Sequence, residues 1–357
     1  MLYAVIMAGG SGTRFWPRSR KSRPKHHIAI AGDKTMIQQT LERLEGEVPL
    51  ERTLVVTIGE QVAMTREQLP ELPPENIIAE PQARNTAAAV GLGAIHVKAR
   101  SGDTDATMLV VTADHVIQPK SEFWQNVRLA ESLAADGKTL VIFGIPPTWG
   151  NPGFGYIHRG EEAENAGSYQ VARFEEKPAP DIATQWAESG DYYWNSGMFV
   201  WKTSTILSEL EQHEPEIHAS LKRIEDSFGS DNAEEVLVTE YSSIKKLPID
   251  KAVMERAAQV KVVEATFGWD DVGSWKAVPN HHKPDESGNT AVGSHEAIET
   301  SGCIVAAEPG HLVATFGVED LIIVQTKDAT LVCRKDDAEN VKKIVERIEE
   351  RGLEEYL

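Results

Sequence analysis

Three glycines directly follow the first apolar run of the chain: in MLYAVIMAGGSGTR, Gly9, Gly10 and Gly12 surround Ser11. Glycine tolerates positive φ and close backbone approach, so successive amides around Ser11 can line an anion-binding concavity. Arg14 follows at once and Lys25 stands eleven residues further on. Cations placed there would compensate charge that builds on a departing phosphate. The spacing fits neither G-x-x-x-x-G-K-[ST] nor G-x-G-x-x-G, so neither a P-loop ATPase nor a Rossmann dinucleotide site is supported.

Carboxylates at strand ends are the second feature. Asp114 closes the apolar run MLVVTAD, and Asp270 and Asp271 close VKVVEATFGWDD. In isolation each is an ordinary turn or cap residue. Together, two carboxylates with phosphate oxygens and water make the usual octahedral set for Mg²⁺. Strand alternation sends Asp270 and Asp271 to opposite sides, leaving one of them for the metal. His115, beside Asp114, is a metal ligand or, more simply, a structural histidine. Glu80 ends NIIAE, and one carboxylate can accept the adjacent N1–H and amine donors of guanine, a pair that adenine lacks. Arg84 is placed to meet phosphate and Asn85 to cap a helix starting at Thr86. In FEEKP, Glu176 and Lys177 set a carboxylate beside a cation, a pair that on its own most simply reads as a solvated face.

These residues need a scaffold. LYAVIM, TLVVTI, NIIAE, TMLVVTA and TLVIFGI read as buried strands, with helices from Gln61 to Leu69, Thr86 to Arg100 and Ser121 to Ala135. Such alternation predicts an α/β fold with a mostly parallel sheet, which binds ligands beyond the carboxyl ends of its strands. Further on, QVARFEEKP, WNSGMFVW and VKVVEATFGWDD read as strands and Thr203 to about Glu240 as helical. After KPDESGNT, short Gly-punctuated strands predict a small β module. Its closing helix, Asp337 to Arg351, carries Val341, Ile344, Val345 and Ile348 on one face.

Composition bounds the function. Of 357 residues, 36 are Lys or Arg and 55 Asp or Glu, giving 36 − 55 = −19. That balance argues against nucleic acid, which is captured by clustered cations. Yet Arg14, Arg18, Arg20, Lys21, Arg23 and Lys25 crowd one segment, predicting a local anion site. No stretch approaches the ~20 apolar residues of a membrane helix. The two cysteines, Cys303 and Cys333, build no disulfide framework, and the N-terminus has no basic region of a signal peptide, so a cytoplasmic location is expected.

AGGSGTRFWPRSRKSRPK resembles the signature loop of the sugar-1-phosphate nucleotidyltransferases, and its FWPRSR ending is similar to that of the mannose-1-phosphate guanylyltransferases. EPQARNTAAA, TADH, GFGYI, FEEKP, WNSGMFVW, PIDKAVME and WDDVGSW follow in order, so the likeness spans residues 4 to 275. His26 and His27 stand where the family commonly has Gln, and RNTAAA replaces RNTAPA.

The resemblance implies a Rossmann-like catalytic domain over 1–284 and a short left-handed β-helix module with a terminal helix over 285–357. It implies transfer of GMP from GTP to mannose 1-phosphate, giving GDP-mannose and pyrophosphate with Mg²⁺ as cofactor. The nucleotide would be held by Ala8, Gly9, Gly10, Ser11, Gly12, Thr13, Arg14, Lys25, Glu80, Arg84, Asn85 and Asp114. Arg14, Lys25, Asp114 and Asp271 would be catalytic, with Asp114 and Asp271 on the metal and Asp270 as the adjacent alternative. The sugar phosphate would lie against Gly155, Glu176, Lys177 and Asn195. The alternatives are another sugar-1-phosphate nucleotidyltransferase, such as one for glucose 1-phosphate, or a silent homologue that senses GDP-mannose. The tail is expected to serve stability and a homodimer, so a chain lacking residues 286 to 357 would still bind GTP. No isomerase domain is expected.

Overall fold

The computed structural model describes residues 1–10 and 12–357; Ser11, one of the predicted loop residues, lies outside them. The front of the chain alternates β1 (Leu2–Ala8), α1 (Met36–Leu44), β2 (Thr53–Ile58), α2 (Val62–Gln68), β3 (Ile77–Glu80), α3 (Thr86–Ser101), β4 (Thr107–Thr112), β5 (Val116–Gln118), α4 (Lys120–Leu133) and β6 (Leu140–Ile145). Next come β7 (Gly155–Glu162), β8 (Ser168–Glu176), α5 (Pro180–Ser189), β9 (Tyr192–Lys202), α6 (Thr203–His213), α7 (Pro215–Asp226), α8 (Ala233–Ser243), β10 (Val260–Glu264) and β11 (Gly268–Asp270).

The main sheet has the order β3-β2-β1-β4-β9-β6-β10-β8-β7. Its first four strands are mutually parallel, and β9 runs antiparallel between β4 and β6. Strands such as β2 and β6 are apolar on both faces because helices cover both: α3, α6 and α7 on one side, α1 and α4 on the other. The sheet is α/β as expected, but the mostly parallel arrangement holds only for β3-β2-β1-β4 and the β6–β10 pair, the pairings of β7, β8 and β9 being antiparallel. Its loops at the carboxyl ends of β1, β3 and β4 carry the glycines, Glu80 and Asp114.

Two segments differ from the sequence reading. The helical stretch after Thr203 is three helices, because Pro215 in the first turn of α7 cannot continue α6 and a polar turn precedes α8. The run VKVVEATFGWDD is two strands. β10 stays in the main sheet, while β11 leaves it to pair antiparallel with β5, Asp270 opposite Val116. That pairing carries Asp271 to the turn holding Asp114 and His115.

The tail contains β12 (Thr290–Val292), β13 (Ser294–Ile298), β14 (Ile304–Ala306), β15 (Leu312–Phe316), β16 (Leu321–Gln325), β17 (Thr330–Arg334) and α9 (Val341–Glu350). β12, β14 and β16 stack in parallel, as do β13 and β15, in the manner of β-helix coils; β17 closes the stack antiparallel. Their apolar interior is continuous with Phe15, Trp16, Ile28 and Ile30 of the glycine-loop region. On α9, Val341, Val345 and Ile348 face this core, whereas Ile344, predicted on the same face, is 38% exposed. Among the described residues, no helix is long and apolar enough to cross a membrane.

Candidate active site

Gly12 sits at φ 60, and a Cβ there would lie 2.3 Å from the Cβ of Lys25. The left-handed turn and the bare Cα therefore let the loop close over Lys25, which is 7% exposed. Its Nζ donates to Asp114 Oδ2 at 2.8 Å and to the Asp271 backbone carbonyl at 2.6 Å. One ammonium thus ties the glycine loop to both strand-end aspartates. Arg14 donates weakly to the Gly273 carbonyl at 3.4 Å, and its Nε pairs with Glu339 at 2.8 Å.

Two cavities have Asp114 in both their linings. One, of about 310 Å³, is lined by Gly12, Thr13, Arg14, Lys25, Asp114 and Asp271, with Lys342 from α9 at its margin. The other, of about 280 Å³, is lined by Gly9, Gly10, Glu80, Asn85, Thr112 and Asp114. Ala8 ends β1 behind the loop and is buried.

The two carboxylates differ electrostatically. Burial pushes the Asp114 carboxyl up, but Lys25 and His115 outweigh it and hold it at about 2. Burial pushes Asp271 up to about 6, with Asp270 and Asp114 adding repulsion that Lys25 only partly offsets. A repelling carboxylate pair in one cavity suits an additional cation. Among the described residues no cluster of three or more His, Cys, Asp or Glu side chains could hold a metal. A divalent ion here would take Asp114 and Asp271 and complete its shell with phosphate and water, as hard ions do.

Asp270 turns elsewhere. Its carboxylate accepts from the Val272 amide at 2.7 Å and Asn280 Nδ2 at 2.9 Å, and faces His281 Nε2 at 3.0 Å. These contacts brace a turn in which Val272, a buried β-branched residue, adopts φ 46. His115 also lines the first cavity, with its Nε2 3.9 Å from Asp114 Oδ1. Trp269 Nε1–H donates to its Nδ1 at 3.1 Å, which places the ring proton on Nε2, and burial lowers its pKa to about 4.

Glu80 is 4% exposed and accepts a hydrogen bond from the hydroxyl of Tyr241 on α8. Burial pushes its carboxyl up to about 6, against the lowering effect of that bond. Asn85 caps α3 as expected, accepting from the Thr86 amide at 2.7 Å. Arg84 is not among the residues lining either cavity, and its guanidinium donates to the Ser242 carbonyl of α8.

On the other side of the sheet's edge, Gly155, Glu176 and Asn195 converge. A Cβ on Gly155 would lie 2.5 Å from Glu176 Oε2 and 3.2 Å from Asn195 Cβ. Asn195 Nδ2 donates to Asp250 at 2.9 Å, and burial with the nearby Glu176 pushes Asp250 up to about 6. Asp250 was legible only as part of PIDKAVME. Lys177, at φ 53, extends into solvent and pairs with Glu176 at 3.2 Å. Trp194, Phe199 and Trp201 are core.

The crowded basic segment is not one anion site. Arg18 donates to the Ala307 carbonyl at 2.8 Å, Arg20 pairs with Asp328 at 2.8 Å and Lys21 with Glu349 at 2.7 Å. Most of its charge therefore clamps the tail onto the loop, leaving Arg14 and Lys25 on the cavity. The tail residues that answer these cations lie some 300 positions away, beyond the reach of local pattern reading.

A mixed α/β sheet, a glycine loop closed over a buried lysine and two aspartates brought together from strand ends define an enzyme that works on nucleotide phosphates. The chain belongs to the nucleotidyl transferase family, whose model matches residues 3–288. A MannoseP isomerase/GMP-like β-helix domain matches residues 293–348. A mannose-1-phosphate guanylyltransferase of Escherichia coli (strain K12) is 41% identical over 99% of this chain and 75% of its own length. The mannose-1-phosphate guanylyltransferase ManC of Salmonella typhimurium is also 41% identical, over 99% of this chain and 75% of the relative. A crystal structure from Thermus thermophilus, described as a mannose-1-phosphate geranyltransferase, superposes with a TM-score of 0.88 at 35% identity, covering 98% of this chain and 99% of that one.

Proposed function

We propose that the chain transfers GMP from GTP to α-D-mannose 1-phosphate, releasing pyrophosphate and forming GDP-mannose. The carrying observation is the pair of cavities that share Asp114. One offers the buried Glu80 carboxylate to a base, and the other gathers Arg14, Lys25 and Asp271 for a triphosphate. The curated relatives, similar over almost the whole chain, bear the same activity in their names.

In this reading the guanine N1–H and amine donate to Glu80, which Tyr241 orients. Backbone amides of Gly9, Gly10, Gly12 and Thr13 and the Lys25 ammonium hold the phosphates. The mannose 1-phosphate oxygen attacks the α-phosphorus in line, its P–O bond forming as the bond to pyrophosphate breaks. Arg14 exchanges Glu339 for the phosphate charge that accumulates on the leaving group. The attacking phosphate is ionised at neutral pH, so no protein base or nucleophile is needed. Gly155, Glu176, Asn195 and Lys177 orient the sugar phosphate. Mg²⁺ on Asp114 and Asp271 supplies charge neutralisation at the reacting phosphate when bound. We divide the chain at 284/285 into a catalytic domain and a β module, in line with the two family matches.

The test is to offer mannose 1-phosphate and Mg²⁺ with GTP, ATP, CTP and UTP separately, measuring pyrophosphate and nucleotide sugar. GTP should be preferred by roughly 100-fold or more over ATP, the scale of a buried carboxylate facing the wrong base. Comparable use of ATP would overturn the assignment.

A further inference from the structure

We propose that Lys342, contributed by the tail, binds the pyrophosphate end of the nucleotide; this rests on the guanylyl-transfer reading and adds a residue to its site. Lys342 lines the same cavity as Arg14, Lys25, Asp114 and Asp271. The three cations there are not equivalent. Lys25 is committed to Asp114 and Arg14 to Glu339, whereas Lys342 makes no ion pair among the described residues. An ammonium with no ion pair among the described residues, on a residue lining a cavity of about 310 Å³, is available to an anion.

Position identifies which anion. The base end of the nucleotide lies beside Glu80, in the cavity that contains Gly9 and Gly10. Both cavities include Asp114, so the α-phosphate is at their junction and the β- and γ-phosphates run towards Arg14 and Lys342. In this reading the sugar phosphate approaches from the side of Glu176 and Asn195, which line neither cavity, whereas Lys342 lines the cavity of Arg14 and Lys25.

The tail holds Lys342 in register. Val341, its neighbour, is 1% exposed in the core shared with Phe15 and Trp16. Trp16 Nε1 donates to the Tyr356 carbonyl at 2.8 Å, and Lys21 pairs with Glu349 across the same seam. The loop that cradles phosphate and the helix that carries Lys342 are therefore one packed unit. Lys343, next in sequence and exposed like Lys342, lines neither cavity.

The experiment compares Lys342→Ala, Lys342→Arg and Lys343→Ala in the full-length protein, each checked for an unchanged thermal transition. In the reverse reaction, from GDP-mannose and pyrophosphate, Lys342→Ala should raise the KM for pyrophosphate roughly ten-fold or more, the scale of one charge-assisted hydrogen bond. Lys342→Arg should recover most of the loss, and Lys343→Ala should behave as the parent. In the forward direction the KM for mannose 1-phosphate should not move. Calorimetric titration of inorganic pyrophosphate with Mg²⁺ into each protein gives a readout independent of turnover. If the parent forms no GTP in reverse, the functional reading fails while the titration still decides the role of Lys342. Equal pyrophosphate affinities for the two alanine variants, or a defect confined to mannose 1-phosphate, would overturn the proposal.

Discussion

Glu80 meets two opposed demands, burial against Tyr241 and charge for guanine. Its folded pKa of about 6 lies above the ordinary 4.5, so the fold penalises the ionised form. The stability that goes with the neutral form is fully present below pH 4.5 and is lost as pH rises through about 6, a difference of about 2 kcal/mol. Glu80→Gln should therefore unfold at higher urea than the parent at pH 8 and not at pH 4.5. The same variant should lose the preference for GTP over ATP, because an amide cannot accept both guanine donors. In the parent, GTP affinity should fall as pH drops below about 6. A flat pH profile of binding, or a variant that still selects GTP, would remove Glu80 from the base site. Asp114→Asn and Asp271→Asn should each lower kcat by at least ~100-fold, the scale of lost electrostatic stabilisation. Full activity of either at limiting Mg²⁺ would contradict the metal assignment.

At the scale of elements, the pairing of β11 with β5 brings the two aspartates together, and Asp270 braces the turn after it. Asp270→Ala removes the three polar contacts around Val272. It should destabilise the protein by about 1–3 kcal/mol and raise the Mg²⁺ concentration needed for half-maximal rate, with little change in selectivity among nucleotides. An unchanged metal titration would confine Asp270 to a structural part. The strands of the sheet were legible because their apolar runs follow directly from burial on both faces. β11 was not legible as a separate strand, since nothing local in VKVVEATFGWDD marks its departure to a partner about 150 residues earlier. The candidate site was readable where motif and strand end coincide, at Gly12, Lys25, Asp114 and Asp271. Tyr241 and Asp250 escaped because each acts through a contact made by a distant segment.

Across the whole molecule, the tail and the glycine loop share one core, so the stability expected of the tail extends to the loop itself. Removing residues 286 to 357 would uncover Phe15, Trp16, Ile28 and Ile30 and take away the partners of Arg14, Arg18, Arg20 and Lys21. Any soluble truncated protein should bind GTP at least ~10-fold more weakly than the full chain, by calorimetry, because both the support of the loop and Lys342 are lost. Undiminished binding would restore the simpler division of labour. Direct passage of GMP to mannose 1-phosphate, at the junction marked by Asp114, is tested by supplying GTP thiolated stereospecifically at the α-phosphorus and determining the configuration of the GDP-mannose analogue. A single in-line displacement predicts inversion; retention would require a covalent guanylyl intermediate on the protein and would contradict direct transfer.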